Sequence, residues 1–332
     1  MLRRVAAALA LFFVAGSVVL MGAGQRTVTD SPLAIQASPI ALDNARPERV
    51  AIGDLRFIRG WTLSSSDPNF GGISAMVRVD DGFVAIGDAG GVFHFVLDEA
   101  GRIARAQIAE LPAGPVPPND GPVRKRDRDA EAMAFDPDTG RFWVAFERAN
   151  GFWRYDRDFA TSDSDNAPDQ MDDWPNNGGA EAIVRLGDGR FLVFSEAGNG
   201  PGSSREVLLF AGDPSEADAE APIRLGYRPP ADHRITDAAL LPDGRLLVLN
   251  RDFSVVRGVS VIISLVDISE LGPGTILGGE EVARLAPPLT VDNMEAIAIE
   301  EVDGRTIVWI ASDDNFNPLQ RTLLMQFEWL GR

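Results

Sequence analysis

Five segments of this chain share one layout, and a repeat of this length confines the fold more tightly than any other feature of the sequence. They begin at Gly71-Gly72-Ile73-Ser74-Ala75-Met76, Ala130-Glu131-Ala132-Met133-Ala134, Ala180-Glu181-Ala182-Ile183-Val184, Thr236-Asp237-Ala238-Ala239-Leu240 and Met294-Glu295-Ala296-Ile297-Ala298. Each opens a short apolar strand and is followed by a turn, at Asp81-Gly82, Asp138-Thr139-Gly140, Asp188-Gly189, Asp243-Gly244 and Asp303-Gly304. Asp-Gly between apolar runs supplies the positive φ of a tight hairpin, so each module starts with two antiparallel strands. Further β-prone stretches follow, such as Val92 to Leu97 and Val259 to Val266. Counted from Ile73 through Ala132, Ala182, Ala238 and Ala296, the spacing runs from 50 to 59 residues. That is the length of a four-stranded blade with generous loops. The expected fold is all-β: a β-propeller of four-stranded blades, five by direct count and six if the stretch before residue 70 holds more strands. The last module ends after its third strand at Trp329, and a strand-like stretch, Val50 to Leu63, precedes the first. The two ends are expected to complete one blade, closing the ring and removing exposed sheet edges.

The repeat also carries chemistry. The first strand of a propeller blade lines the central channel, so equivalent residues converge on one mouth. Four modules place an acid there, Glu131, Glu181, Asp237 and Glu295, while the first has Gly71-Gly72. The antiparallel second strands return to the same mouth and end at Asp88, Glu147, Glu196, Asp252, Asp313 and Asp314. Taken singly, such an acid caps a strand end or binds a loop amide. Recurrence at one phase of five modules is what marks them. So many carboxylates in one funnel repel each other unless a hard cation with oxygen ligands offsets them, which makes calcium the expected ion. The expected metal ligands are Glu131, Glu181, Asp237, Glu295, Asp313 and Asp314. Arg148, Arg251 and Arg321 accompany the acids; guanidinium forks suit planar oxyanions and equally form salt bridges. His233, near Asp237, is a further candidate for anion binding.

Composition excludes several alternatives. With 49 Asp plus Glu against 31 Lys plus Arg, the net charge of −18 repels a phosphate backbone, so no nucleic-acid partner is expected. The absence of cysteine rules out disulfides, zinc-thiolate sites and thiol nucleophiles. Ser195 lacks the G-x-S-x-G turn of a hydrolase elbow, and no glycine-rich phosphate loop opens a helix. The acidic stretch Asp163 to Asp173 lacks the spacing of an EF-hand and reads as a disordered insertion. The basic cluster Arg124-Lys125-Arg126 with Arg128 reads as salt-bridging. Arg3 and Arg4 precede an uncharged run from Val5 to Met21 that ends in Gly22-Ala23-Gly24, the pattern of a signal peptide over 1–24. An uncleaved signal anchor would look similar. Export to the periplasm or medium is expected, with residues 25–48 as a linker, 49–332 as the propeller, no membrane contact beyond the signal, and a monomer.

The stretches Phe70-Gly71-Gly72-Ile73-Ser74, Asp129-Ala130-Glu131-Ala132-Met133, Asn177-Gly178-Gly179-Ala180-Glu181-Ala182, Thr236-Asp237, Val291-Asp292-Asn293-Met294-Glu295-Ala296 and Ser312-Asp313-Asp314-Asn315-Phe316-Asn317-Pro318-Leu319-Gln320-Arg321-Thr322 resemble the phytase-like family described as having esterase-like activity. The resemblance spans roughly residues 55–330. It implies a relation to β-propeller phytases, which hydrolyse phosphomonoesters with calcium held by an acidic mouth. On that basis Glu131, Glu295, Arg148 and Arg251 are the expected catalytic residues, and Arg148, Arg251, Arg321 and His233 the expected substrate-binding residues. The expected partner is a small-molecule ester or phosphoester. A calcium-dependent lactonase and a non-catalytic binding propeller are the two alternatives that the same mouth would serve.

Overall fold

The computed structural model describes residues 31–115 and 127–331. The expected signal segment, residues 1–24, lies outside them, as do Arg124, Lys125 and Arg126. Four N-terminal strands come first: β1 (Ser31–Pro32), β2 (Ile35–Ile40), β3 (Ala51–Ile52) and β4 (Leu55–Ser65). Blade 1 is β5 (Ile73–Val79), β6 (Gly82–Gly87), β7 (Gly91–Leu97) and β8 (Ile103–Glu110). Blade 2 is β9 (Ala130–Asp136), β10 (Arg141–Phe146), β11 (Gly151–Tyr155) and β12 (Ser162–Asn166), and blade 3 is β13 (Ala180–Arg185), β14 (Phe191–Asn199), β15 (Arg205–Phe210) and β16 (Ile223–Arg228). Blade 4 is β17 (Arg234–Leu240), β18 (Leu246–Ser254), β19 (Gly258–Val266) and β20 (Ile276–Leu285). Blade 5 takes β21 (Met294–Val302), β22 (Arg305–Ser312) and β23 (Thr322–Trp329) from the C-terminus and β4 from the N-terminus, with β23 and β4 antiparallel from Thr322↔Leu63 to Trp329↔Leu55.

Each innermost strand packs on the next around the ring, β5 on β9, β9 on β13, β13 on β17, β17 on β21 and β21 back on β5. The described residues thus form a closed five-bladed propeller. The described part of the stretch before residue 70 adds β2, β3 and β4 to blade 5 and β1 to blade 1, and makes no sixth blade. Part of the expected linker is itself sheet: β2 lies on the outer side of β4 in blade 5, and β1 on the outer edge of β8 in blade 1. The expected disordered insertion, Asp163 to Asp173, instead supplies most of β12, the outer strand of blade 2. The outer strands of blades 3 and 4, β16 and β20, pair in parallel.

Strands covered by neighbours on both faces should read as continuous apolar runs, and the inner ones such as β6, β10, β15 and β22 do, while the outer β12 is wholly polar. The core is five clusters, one in each gap between successive blades, such as Ala182, Phe194, Val207, Tyr227, Ile235 and Val248 between blades 3 and 4. Alanine dominates the innermost strands, at Ala75, Ala132, Ala182, Ala238 and Ala296, where a larger side chain would hold converging strands apart. Farther out the gaps widen and aromatic residues fill them: Phe142, Phe191, Phe194 and Phe210 are fully buried. Burying each such ring stabilises the fold by roughly 1.5–3 kcal/mol.

Candidate functional site

The inner strand of every blade carries a β-bulge at the same place. Pairing with the second strand skips one residue between Ile73 and Ala75, Ala130 and Ala132, Ala180 and Ala182, Ile235 and Asp237, and Met294 and Ala296. The residues left unpaired are Ser74, Glu131, Glu181, Thr236 and Glu295. A bulge turns its extra side chain out of the regular alternation. Three blades use it to place a glutamate at the mouth. The other two use it to fasten neighbouring blades: the Ser74 hydroxyl donates to the Ala130 carbonyl at 2.5 Å and the Thr236 hydroxyl to the Met294 carbonyl at 3.1 Å.

This register corrects the expected alignment at blade 4, where Thr236 and not Asp237 occupies the bulge. Asp237 comes one residue later, buried, and its two carboxylate oxygens accept from the Ala238 and Ile297 amides at 2.8 Å each. It ties β17 to β21. Asp314 is likewise structural: it accepts from the Gly72 and Phe316 amides, each at 3.0 Å, and from the Thr322 hydroxyl at 2.9 Å, joining blade 5 to blade 1.

A second ring stands opposite the bulges. The amides of Asp88, Glu147, Glu196 and Asp313 donate to the carbonyls of Gly72, Asp129, Gly179 and Asn293 at 2.8–3.0 Å. In blade 4 the matching pair is Arg251 and Arg234. An arginine therefore stands in an otherwise acidic ring, and Asp252, expected at this phase, lies one step beyond and pairs with Arg257 at 3.1 Å. Gly72 has to be glycine here: its φ is +64° and an added Cβ would come within 2.5 Å of an Asp88 carboxylate oxygen.

The two rings bring seven carboxylates to one mouth, those of Glu131, Glu181, Glu295, Asp88, Glu147, Glu196 and Asp313. Their charges feel each other. Burial, followed by Glu181, Asp129, Asp88 and Glu147, pushes Glu131 well above the usual carboxylate range. Burial, Glu196 and Glu295 do the same to Glu181. Burial and Asp129 raise Glu147 to about 7 against the opposing Gly178 amide and Arg148. Glu295 is raised by burial to about 7 even though Arg251 pairs with it at 3.0 Å. Burial and Asp88 lift Asp313 well above its ordinary value. Arg251 lies within the fields of Glu295, Glu181, Glu196 and Asp313, and its Nε is buried without a hydrogen-bond partner among the described residues.

At one side of the mouth, carboxylate oxygens of Asp129, Glu131 and Glu147 all lie within 4.8 Å of one another. Calcium binds oxygen at about 2.3–2.6 Å, so ligands on opposite sides of one ion stand about 5 Å apart. The spacing of the triad is within the reach of one such ion, which would draw its remaining oxygen ligands from elsewhere. Glu131 is among the ligands expected from the sequence; Asp129 and Glu147 are not. Glu147 is among the second-strand acids expected at this mouth, though not among the expected ligands; Asp129 could have been found from the repeat, because it stands two residues before the bulge. Of the remaining expected ligands, Glu181, Glu295 and Asp313 line the mouth outside this triad.

The expected arginines separate. Arg251 is central, whereas Arg148 lies exposed on the rim, bonded to Asp129 at 3.3 Å and Asn177 at 3.0 Å. Arg321 is exposed and tied to Asp292 at 3.1 Å and the Val291 carbonyl at 3.0 Å. His233 is buried with both ring nitrogens engaged, by the Ala231 carbonyl at 2.8 Å and the Ser260 hydroxyl at 3.1 Å, which leaves it no free atom for a substrate. Arg234, which the repeat pattern does not single out, reaches Glu196 at 3.2 Å from the strand beside Arg251.

A closed propeller with an acidic mouth thus defines the class of protein. Residues 68–316 match the model of the phytase-like family, described as esterase-like activity of phytase, and the chain belongs to that family, which is of hydrolase type. No curated protein matches the sequence. Among solved structures, glutaminyl cyclase of Myxococcus xanthus aligns over 82% of this chain and 96% of its own at 10% identity, with a TM-score of 0.46. Regucalcin of Agrobacterium tumefaciens, a calcium-binding protein, aligns over 93% and 98% at 13% identity and a TM-score of 0.42. A luciferin-regenerating enzyme aligns over 90% and 93% at 13% identity and a TM-score of 0.43. Likenesses this distant say nothing of the chemistry.

Proposed function

We propose that the chain is an exported, calcium-dependent hydrolase of a small ester or phosphoester. The observation that carries this reading is the Asp129, Glu131 and Glu147 triad, whose oxygens all lie within one ion's reach at the mouth of a phytase-like propeller. A calcium ion bound there would act as a Lewis acid and offset charge developing on the substrate. The chain's own residues supply the rest. Arg251, whose guanidinium stands partly exposed among the charges of Glu295, Glu181, Glu196 and Asp313, orients an anionic oxygen of the substrate by a charge-assisted hydrogen bond. Glu295, poised at about 7, holds or releases a proton close to neutral pH beside that oxygen. Export rests on the N-terminal pattern, from Arg3 and Arg4 to Ala23.

The test is turnover of p-nitrophenyl phosphate, p-nitrophenyl acetate and a sugar lactone, each with calcium and with EDTA. Calcium-dependent turnover of the phosphate or the acetate is expected, reduced at least about a hundredfold by Glu131→Gln, the scale of losing one electrostatic contact to the transition state. Turnover of the lactone alone would move the chain to the lactonase reading. No turnover of any of the three would overturn the hydrolase reading.

A further inference from the structure

The hairpin between β18 and β19 stays regularly paired beyond the ring position, whereas β14 of blade 3 also runs past Glu196, to Asn199, but across a break in register. In blades 1 and 2 the second strand stops at Gly87 and Phe146, just before the ring acid, and a short turn follows. In blade 4 regular pairing continues past Arg251, through Asp252↔Ser260 and Phe253↔Val259 to Ser254↔Gly258. The turn is ordered by the Ser254 hydroxyl, which accepts from the Val256 and Arg257 amides at 3.4 Å each. Gly258 at φ +77° completes it. Arg257 braces the hairpin against Asp252.

This extension stands on the mouth rim and is apolar at its tip. Val255 and Val256 are 84% and 94% exposed, and Leu319, on the blade 5 rim loop after Asp313, is 84% exposed. These are the three most exposed large apolar side chains among the described residues, and all three lie on connections between the second and third strands, at the end of the blade where the ring residues stand. Side chains alternate along a strand, so Phe253 shares a face with Arg251 and with Leu249, which packs in the core between blades 4 and 5. That face therefore runs from the buried core, past the cation of the ring, to an exposed phenylalanine and the valine tip. Isolated surface apolar groups are ordinary; here three of them, Phe253, Val255 and Val256, fall within four residues of one hairpin that begins at Arg251.

We infer that the blade 4 hairpin, through Phe253, Val255 and Val256, holds the apolar part of the substrate while its anionic or ester head lies at Arg251. The substrate class is then an ester or phosphoester of a medium-chain alkyl, acyl or aryl group, not a densely charged polyphosphate. This inference rests on the proposed function for the location of the head group. The continuity of one strand face with Arg251 favours a substrate over a separate partner.

Binding of n-alkylphosphonates of increasing length, measured by calorimetry with calcium present, tests it without requiring turnover. The affinity of the native protein should rise about tenfold from methylphosphonate to octylphosphonate, well short of the roughly fourfold gained per fully buried methylene. The Val255→Ser, Val256→Ser double variant should lose most of that gain and keep the native affinity for methylphosphonate. Both changes lie at an exposed tip, so the fold is not at stake. Equal affinity for the two ligands in the native protein, no binding of either, or an undiminished gain in the double variant would overturn the inference. Sedimentation of the native protein alone with phosphatidylcholine vesicles, without a chain-length gain, would assign the tip to a membrane and overturn it too. A chain-length gain in a protein that turns over no ester would sink the hydrolase reading and the ester substrate class with it, and would leave only the hairpin's hold on an apolar chain.

Discussion

Glu147 and Glu295 tie the mouth to pH through the direction in which burial moves them. Both are raised from the ordinary 4.5 to about 7, so between those values the folded state binds more protons than the unfolded chain. Their contribution is fully present below about 4.5 and is lost as pH rises through about 7; each tenfold difference in proton affinity between the two states corresponds to roughly 1.4 kcal/mol. Thermal melts in EDTA are expected to show the midpoint falling by several degrees from pH 5 to pH 8, with calcium restoring it at pH 8. A midpoint that is flat in EDTA, or unmoved by calcium, would count against crowded carboxylates at the mouth. Asp237 gives the contrasting case. Asp237→Ala leaves the Ala238 and Ile297 amides without acceptors and should cost about 1–3 kcal/mol each, with calcium affinity unchanged. Denaturant unfolding and a calcium titration of the same variant check both halves. Asp237 and Glu131 occupy similar places in the sequence, and only the strand register separates an interblade tie from a mouth acid.

At the scale of the element, the bulge determines which residue reaches the mouth. A bulge leaves no compositional mark, which is why Ala130-Glu131-Ala132 and Thr236-Asp237-Ala238 read as equivalent although they differ by one position. The hairpins were legible because Asp-Gly turns and apolar runs are local signals. β12 was not: Ser162-Asp163-Ser164-Asp165-Asn166 has no β-prone residue, and it is strand because Phe152, Trp153, Arg154 and Tyr155 offer it a free edge to pair with. Gly72 is the sharpest element-level test. Gly72→Ala combines a left-handed φ with a Cβ pressed on Asp88, so it should cost at least about 1 kcal/mol and displace Asp88 from its ring. A lower melting midpoint together with weakened calcium binding is expected; full retention of both would mean that the ring does not depend on that close approach.

Across the whole molecule, the ring is held shut where its two ends meet. β4 completes blade 5, β2 and β1 extend the outer edges of blades 5 and 1 across the same seam, and Asp314 bridges it at the mouth. The closure of the ends in one blade was legible in the sequence, because the last repeat ran out of strands and the first was preceded by one to spare. The strap formed by β1 and β2 was not, since Ser31-Pro32 and Ile35-Gln36-Ala37-Ser38-Pro39-Ile40 are short, proline-bearing and aperiodic, and become sheet only against edges that tertiary folding provides. Removing residues 1–40 should lower the melting midpoint while leaving a folded propeller. Removing residues 1–65 should abolish cooperative unfolding, because blade 5 would lose β4 and the core cluster packed on Trp61 and Leu63. Circular dichroism melts distinguish the two. The mouth itself is tested most directly by calorimetric titration of calcium into the native protein and into Glu131→Gln. Saturable binding by the native protein that Glu131→Gln loses is the expected result, and identical isotherms, or no binding to either, would contradict a cation held by the acids that the bulges bring together.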